Sequence, residues 1–531
     1  MEVAEDDGKI ETERAIRSPA ESAPPRSWNF RIDIVAQSGR YPQNTTFLSR
    51  AASHPANGIF QNMSLPTDLP PPRAETPAGE GLAGKIYSAG TLRYTFRGLL
   101  LLAFWLLWGD FAYSFFESVF GRFIPLYLKD IHASNAMIGV MSGSFAGLVN
   151  LFFLPNISQW SDHARTRFGR RIPFLYVVTP LTAASLVAIG FAPEISGWLR
   201  SRLLIHLDPA ITGTGATMAF LCVTVVSFHF FNMVLVNSYN WLLRDVVPLG
   251  LMARFLSWFR IVGSISSFVF LWFVFPHLFL HRKGVFLGVG LFYLLAFLLM
   301  CLNVKEGAYP PPPAKETRPG IFRSFAIYFR ECLRFPIYRN FFIAYVLVAV
   351  SGCAGPFSNL FMRDTLGLEM DSMGKIFAWS TAAGALVLFP MGWLCDRFNP
   401  LSVALAALLG QVLSSVAACL LVHGPHSLLI YSLVSSVPSV AWGLGLLSST
   451  MKLFPEEKFG QFSSGLNVFG CGALILGNFL VGAFMDLVQS DYRMAYLWSA
   501  GLFAAAIYPM FLVCRDWRKF GGPHHYVPPV P

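Results

Sequence analysis

Charged side chains make up only 13% of the 531 residues, where a soluble globular chain usually carries about 25%. That scarcity, beside 50 Phe and 13 Trp, excludes an ordinary soluble enzyme and a disordered protein. Cysteine is sparse too. The eight that occur have no paired or metal-like spacing and lie mostly in apolar runs, so they read as small hydrophobes rather than a disulfide framework or a metal site. No P-loop, zinc cluster or nucleophile elbow is found. The expectation is therefore a non-enzyme with no cofactor and no metal. What remains is hydrophobic length: this composition belongs to a polytopic protein of the lipid bilayer.

The first 92 residues differ from the rest. They hold ten prolines and a net charge of −2, with no sustained apolar period and no signal peptide, and they read as a disordered cytoplasmic tail. Met63 opens a shorter leader inside it, so the native start is left open between Met1 and Met63. Residues 93–531 carry a net +12. Basic charge between apolar runs marks cytoplasmic loops rather than a nucleic-acid face.

Twelve apolar stretches are long enough to cross a bilayer, which takes about 20 helical residues. They fall near 98–127, 135–157, 173–192, 216–239, 256–279, 284–303, 339–362, 374–393, 400–422, 427–450, 460–485 and 494–514. Their continuity excludes barrel strands, which alternate. A Pro310–Pro313 run sits in the linker, 304–338, between a first half, 93–303, and a second, 339–514; residues 515–531 form a tail. The side carrying both termini and the even-numbered loops collects 23 Lys/Arg against nine on the other. Both termini are thus expected in the cytoplasm, in a plasma or inner membrane.

The halves repeat each other. Leu126–Asp130 is answered by Leu360–Asp364, and Pro155 and Asp162 by Pro390 and Asp396. Pro248, Arg254, Phe255 and Ser257 are answered by Pro455, Gln461, Phe462 and Ser464. The register slips between the copies because Pro193–Gly215 is a longer outer segment. Parallel six-helix repeats about a central cavity are a transporter architecture.

Between the second and third spans stands Asp162-His163, then Arg165, Arg167, Gly169, Arg170, Arg171 and Pro173. An acid at a helix end faces four arginines across a tight reversal that Gly169 permits. This string resembles the gate motif of the major facilitator superfamily, and within it the sucrose transporters and the glycoside–pentoside–hexuronide symporters. The resemblance implies a twelve-helix, all-α fold in which these charges pin the two halves together in one access state. Asp396-Arg397 is a second, thinner copy that lacks the arginine cluster, and Asp245 with Arg254 resembles the family's loop between spans four and five. His163 departs from the arginine usual after the acid.

Polar groups inside a membrane are costly and are functional candidates by default. In the first span Asp110, Ser114 and Glu117 recur at i, i+4, i+7 and share one helix face, expected to look into the central cavity. Asp110 resembles a sugar-contacting acid of the melibiose-type symporters; a buried structural pair with Arg260 is the bland alternative. In the fourth span His229 and Asn232 share a face. They occupy positions where the sucrose and melibiose relatives keep acids, so a carried-over role is doubtful, although histidine can take a proton near neutrality. The acids that hold sodium in melibiose-type relatives are replaced by Asn150 and Leu154, which points to protons as the coupling ion. Gly139, Gly143 and Gly147 form a small-residue stripe for close helix packing.

The expectation is a secondary transporter that moves a small polar solute, a sugar or glycoside, by proton-coupled alternating access. It needs no oligomer and no nucleic acid. A uniporter or effluxer of another solute, and a non-transporting sensor on the same scaffold, stay open as alternatives.

Overall fold

Thr95, Ser134 and Thr212 are each extended in backbone conformation and each start a long helical span. Their hydroxyls accept from the backbone N–H of Gly98, Met137 and Gly215 at 3.2, 3.2 and 3.0 Å, each such cap contributing about 1 kcal/mol. The computed structural model describes residues 86–204, 212–309 and 330–529. The tail's residues 1–85 and the linker's 310–329 lie outside the described residues.

Twelve helical spans follow one another: α1 Phe96–Asp130, α2 Asn135–His163, α3 Ile172–Gly190, α4 Gly213–Val246, α5 Leu249–His277, α6 Arg282–Asn303, α7 Pro336–Thr365, α8 Met370–Arg397, α9 Pro400–Leu421, α10 Pro425–Leu453, α11 Glu456–Leu487 and α12 Met494–Lys519. Each coincides with one apolar stretch of the sequence. Several run past it, because amphipathic end turns bury a few side chains where the polar loops begin. In hydrocarbon a helix satisfies its own backbone groups, and prolines inside α1, α2, α3, α8, α10 and α12 are tolerated there.

Two departures appear at the ends. The tail was expected to stay unstructured through residue 92, but Tyr87–Ala89 and Leu92–Tyr94 pair as an antiparallel hairpin. Leu92 and Tyr94 are buried in it, and the Thr91 hydroxyl accepts from Ala308 N at 2.8 Å. The C-terminal tail folds back on the second half, where Tyr338 donates to the Pro529 carbonyl at 2.9 Å and Tyr526 to that of Leu453 at 3.1 Å. The outer segment of the first half contains a short helix, Ala192–Leu199.

Both described ends and the even-numbered loops share one side, called here the termini side; the opposite is the far side. The two halves meet along α2–α11, α5–α8 and α1–α7. The glycine stripe of α2 makes the closest approach. A Cβ at Gly139 or Gly143 would overlap Asn478 of α11, and one at Gly147 would press on Ile475.

Candidate functional site

The i, i+4, i+7 spacing does what it implies. Asp110, Ser114 and Glu117 lie on the face of α1 that lines two adjoining cavities. One, of about 190 Å³, is bounded by Asp110, Ser114, Arg260, Ser264, Ser267 and Thr381. The next, of about 390 Å³, takes in Ser114, Glu117, Ser118, Arg122 and, again, Ser267 and Thr381. Thr381 comes from α8 and the rest from α1 and α5, so both halves contribute to the wall.

Asp110 is only 2% exposed, and its Oδ2 has no hydrogen-bond partner among the described residues. Gly263 of α5 lets the backbone come close: a Cβ there would sit 3.0 Å from Ser114 Oγ and 3.4 Å from Asp110 Oδ2. Arg260 shares the small cavity with Asp110 and acts on it through its charge, with no contact of ion-pair length between them among the described residues. Ser118 donates to the Ser114 carbonyl at 2.7 Å, and its Oγ lies 3.2 Å from Ser267 Oγ, a hydroxyl contact between α1 and α5.

The face of α4 is divided. Asn232 comes into the site through a residue that the sequence reading passed over, Tyr113, whose hydroxyl is within hydrogen-bonding reach of both Glu117 and Asn232. His229 does not join them. Its Nε2 lies 3.5 Å from the Met141 carbonyl, and its ring meets Phe120 edge-on at 5.0 Å. That is an aromatic packing position. Tyr113 sits one residue from a cavity-facing position, and only the fold shows that it turns toward α4.

The gate residues assemble on the termini side. Arg171 Nη2 pairs with Asp162 at 2.6 Å, and Arg170 Nη2 with Asp245 at 2.8 Å. A second contact, Arg171 Nε to Asp245 at 3.4 Å, ties the two pairs together. Gly169 has φ +110°, the left-handed conformation that the reversal needs. Arg165 Nη1 donates to the carbonyls of Asp162 and Ala164, and Arg167 lies 4.6 Å over the Phe168 ring.

The linker's first residues complete the cluster. The Glu306 carboxylate accepts from the backbone N–H of Arg170, Arg171 and Ile172 at 2.9, 2.8 and 2.6 Å, an anion at the start of α3 where the helix dipole favours one. Tyr309 bridges Glu306 at 2.7 Å and Asp245 at 3.1 Å beneath the Arg170 guanidinium. Burial, then these carboxylates, hold its hydroxyl above the ordinary tyrosine range, so it remains a donor. Sequence reading missed both residues; their contact with a loop about 135 positions upstream leaves no local pattern.

In the state described these ion pairs close within the first half; the pinning of the two halves was expected of one access state only. Asp396 and Arg397 are exposed, and neither takes part in an ion pair among the described residues. Arg397 rests 5.4 Å from the Trp393 ring. Arg254 is likewise exposed and without an ion pair among the described residues.

The bonds that do cross between the halves gather at the far side. Asp486 of α11 accepts from Asn135 N, Asn135 Nδ2 and Ala136 N at 2.9, 2.9 and 3.0 Å, capping α2 from the opposite half. Ser144 donates to the Ile475 carbonyl at 2.8 Å. Arg363 reaches back to Asp130 Oδ1 at 2.8 Å and the Leu126 carbonyl at 3.2 Å, so the two copies of one repeated motif touch. Three wide turns, Val140–Ser144, Phe270–Val274 and Phe361–Thr365, interrupt the spans along this seam, in the π geometry often found at functional sites.

A family model described as Major Facilitator Superfamily matches residues 106–478. No curated protein sequence matches. Among solved structures, a bacterial homologue of the human lysosomal transporter Spinster, inward-facing and unoccupied, superposes with a TM-score of 0.58 at 16% identity, covering 79% of this chain and 97% of its own. The nucleoside transporter NupG gives 0.57 at 14%, covering 78% and 98%. A bacterial homologue of the iron transporter ferroportin, inward-facing, gives 0.56 at 15%, covering 78% and 99%.

Proposed function

Because the chain belongs to the Major Facilitator Superfamily and is an integral, multi-pass membrane protein of that fold, we propose that it is a secondary active transporter of a small polar solute. In this reading the solute is of the sugar or glycoside class and is moved with protons by alternating access. The observation that carries it is the polar face of α1, with two acids seven residues apart on cavities that both halves enclose. Such a wall offers hydroxyl partners and a carboxyl able to exchange a proton, and it is rebuilt when the halves rock. The structural neighbours bear names of unlike cargoes, so the solute rests on the site alone.

The termini side is read as cytoplasmic from its basic excess, in a plasma or inner membrane. With the seam closed at the far side and the gate charges satisfied within the first half, the state described is inward-facing. Asp110 is the proton site in this scheme. Glu117 passes protons to it along the shared face, while Arg260, which lines the same cavity, is the cation it faces when ionised.

The test is uptake into proteoliposomes across a panel of neutral sugars and glycosides, with and without a pH gradient. Accumulation that needs the gradient in the wild type and fails in Asp110→Asn, with exchange preserved, is the expected result. Gradient-independent accumulation, or wild-type accumulation in Asp110→Asn, removes proton coupling through α1.

A further inference from the structure

Five of the described arginines have an acid within ion-pair distance: Arg170 and Arg171 have Asp245 and Asp162, Arg282 has Glu194, Arg363 has Asp130 and Asp364, and Arg515 has Asp516. Arg122 is not among them. It lies inside α1, twelve residues beyond Asp110, and its partners are neutral. Nη1 donates to Asn359 Oδ1 at 3.2 Å, and the guanidinium lies 3.9 Å from the centre of the Phe377 ring. Among the described residues no carboxylate pairs with it. Glu117 lines the same cavity, but it is five positions back, about 140° around the helix and about 7.5 Å along it, which is not a pairing position.

Arg122 also lines a further cavity of about 230 Å³ with Phe120, Ser142, Pro356 and Asn359. It therefore stands between two adjoining spaces, and both of its neutral partners, Asn359 and Phe377, belong to the second half. A guanidinium carries five donors in a fork that matches a carboxylate or phosphate, and here one is spent on an amide. A cation at this depth is costly and in membrane proteins ordinarily finds a counter-charge. No carboxylate of the wall, Glu117 included, pairs with it among the described residues.

We propose that the cargo does: Arg122 binds an anionic oxygen group, carboxylate or phosphate, on the transported solute. This deepens the transport reading and rests on it. The hydroxyl-bearing part of the solute then lies along Ser114, Glu117, Ser267 and Thr381. Its acid group sits at the seam, where a charge held between α1 and α7 bears on whether the halves stay together.

The test is thermal melting of the purified full-length protein with glucose, gluconate and glucose 6-phosphate as probes, paired with uptake of each into proteoliposomes. Gluconate, glucose 6-phosphate or both should raise the wild-type melting temperature where equal glucose does not; which of them acts separates carboxylate from phosphate. In Arg122→Gln the half-maximal concentration of the active anion should rise at least ten-fold, and Arg122→Lys should recover part of that. Competition between glucose and the anions on the wild type needs no variant, so a misfolded mutant does not block the answer. Glucose protecting as well as the anions overturns the proposal, as does an undiminished anion effect in Arg122→Gln or no anion effect on the wild type. Gradient-driven uptake of glucose that neither anion inhibits would keep the transport reading and remove this one. Anion binding through Arg122 that never leads to uptake would do the reverse.

Discussion

Two polar assemblies, one on each side of the membrane domain, use the same chemistry to different ends. On the far side Asp486 accepts three N–H donors from the start of α2, and its own helix lies in the other half. On the termini side Glu306, in the linker directly after α6 of the first half, accepts three N–H donors from the start of α3 in that same half. A carboxylate on a helix N-terminus is favourable in either place. Which half holds the carboxylate decides whether the bond is a latch between moving bodies or a brace within one. The comparison teaches that gate-like charges cannot be assigned a gating role from their motif alone; the partner's half must be known.

The largest expected effect comes from breaking the latch sterically. Gly143 faces Asn478, while Gly121 has nothing within 4 Å of a built Cβ. Overpacking a fitted contact costs about 1–3 kcal/mol, enough to move a two-state seam by roughly five- to 150-fold. We predict that Gly143→Leu opens the far side, so that a single cysteine placed at Ser144, only 3% exposed at the seam, becomes reactive to an impermeant thiol reagent and solute uptake falls at least ten-fold. Gly121→Ala should do neither. Equal labelling of Ser144→Cys with and without Gly143→Leu would show that the stripe does not hold the seam.

Next comes the brace. Glu306→Gln leaves three backbone donors facing an amide in place of a carboxylate, and hydrogen bonds to charged groups contribute about 1.5–3 kcal/mol each. A fall in the melting temperature of several degrees is expected, with far-side labelling unchanged. A variant that melts normally but labels differently at the far side would invert the assignment of brace and latch.

How much of this was legible in the sequence follows from the range of each interaction. The twelve spans were readable because hydrocarbon imposes the same demand on every one, continuous apolar length, and it is met locally. Asp110, Ser114 and Glu117 were readable for a similar reason: a helix turns i, i+4, i+7 into a single face whatever surrounds it. Glu306 and Tyr309 were not, since a linker acid looks like any solvated charge until α3 is folded beneath it. His229 misled for the opposite reason, because helical spacing places it beside Asn232 and cannot show that Phe120 and Met141 occupy the space it faces. The gate arginines were identified with one partner, Asp162, which Arg171 meets, and not with the other, Asp245, which meets Arg170. The motif specifies a cluster of charges, while the access state decides which half answers them.

A smaller effect separates charge from geometry at the latch itself. Asp486→Asn keeps one acceptor oxygen for Asn135 and Ala136 and loses the charge, worth about 1 kcal/mol at a helix N-terminus. The seam should loosen by roughly five-fold, read as partial reactivity of the cysteine at Ser144. Asp486→Ala, which removes the acceptor too, should loosen it further. Identical behaviour of the two variants would mean that shape alone closes the far side.

The smallest effect is predicted where the sequence signal was clearest. Asp130 and Arg363 come from the two copies of the repeated motif, and their contact at 2.8 Å is the most visible trace of the duplication. Yet the Asp130 side chain is 46% exposed and Arg363 has other partners, Asp364 at 2.7 Å and the Leu126 carbonyl at 3.2 Å. An ion pair so open to solvent contributes about 0.2–1 kcal/mol and is screened by salt. Asp130→Asn should therefore leave the melting temperature within a degree or two and change uptake less than about three-fold, with that difference shrinking further as ionic strength rises. Removing Arg363 is a different experiment, because it also frees the Leu126 carbonyl at the end of α1. Arg363→Gln should exceed Asp130→Asn, and the excess should persist in high salt. Should Asp130→Asn alone open the seam as far as Gly143→Leu does, the repeated motif rather than the glycine stripe would be the latch, and the order of these effects would reverse.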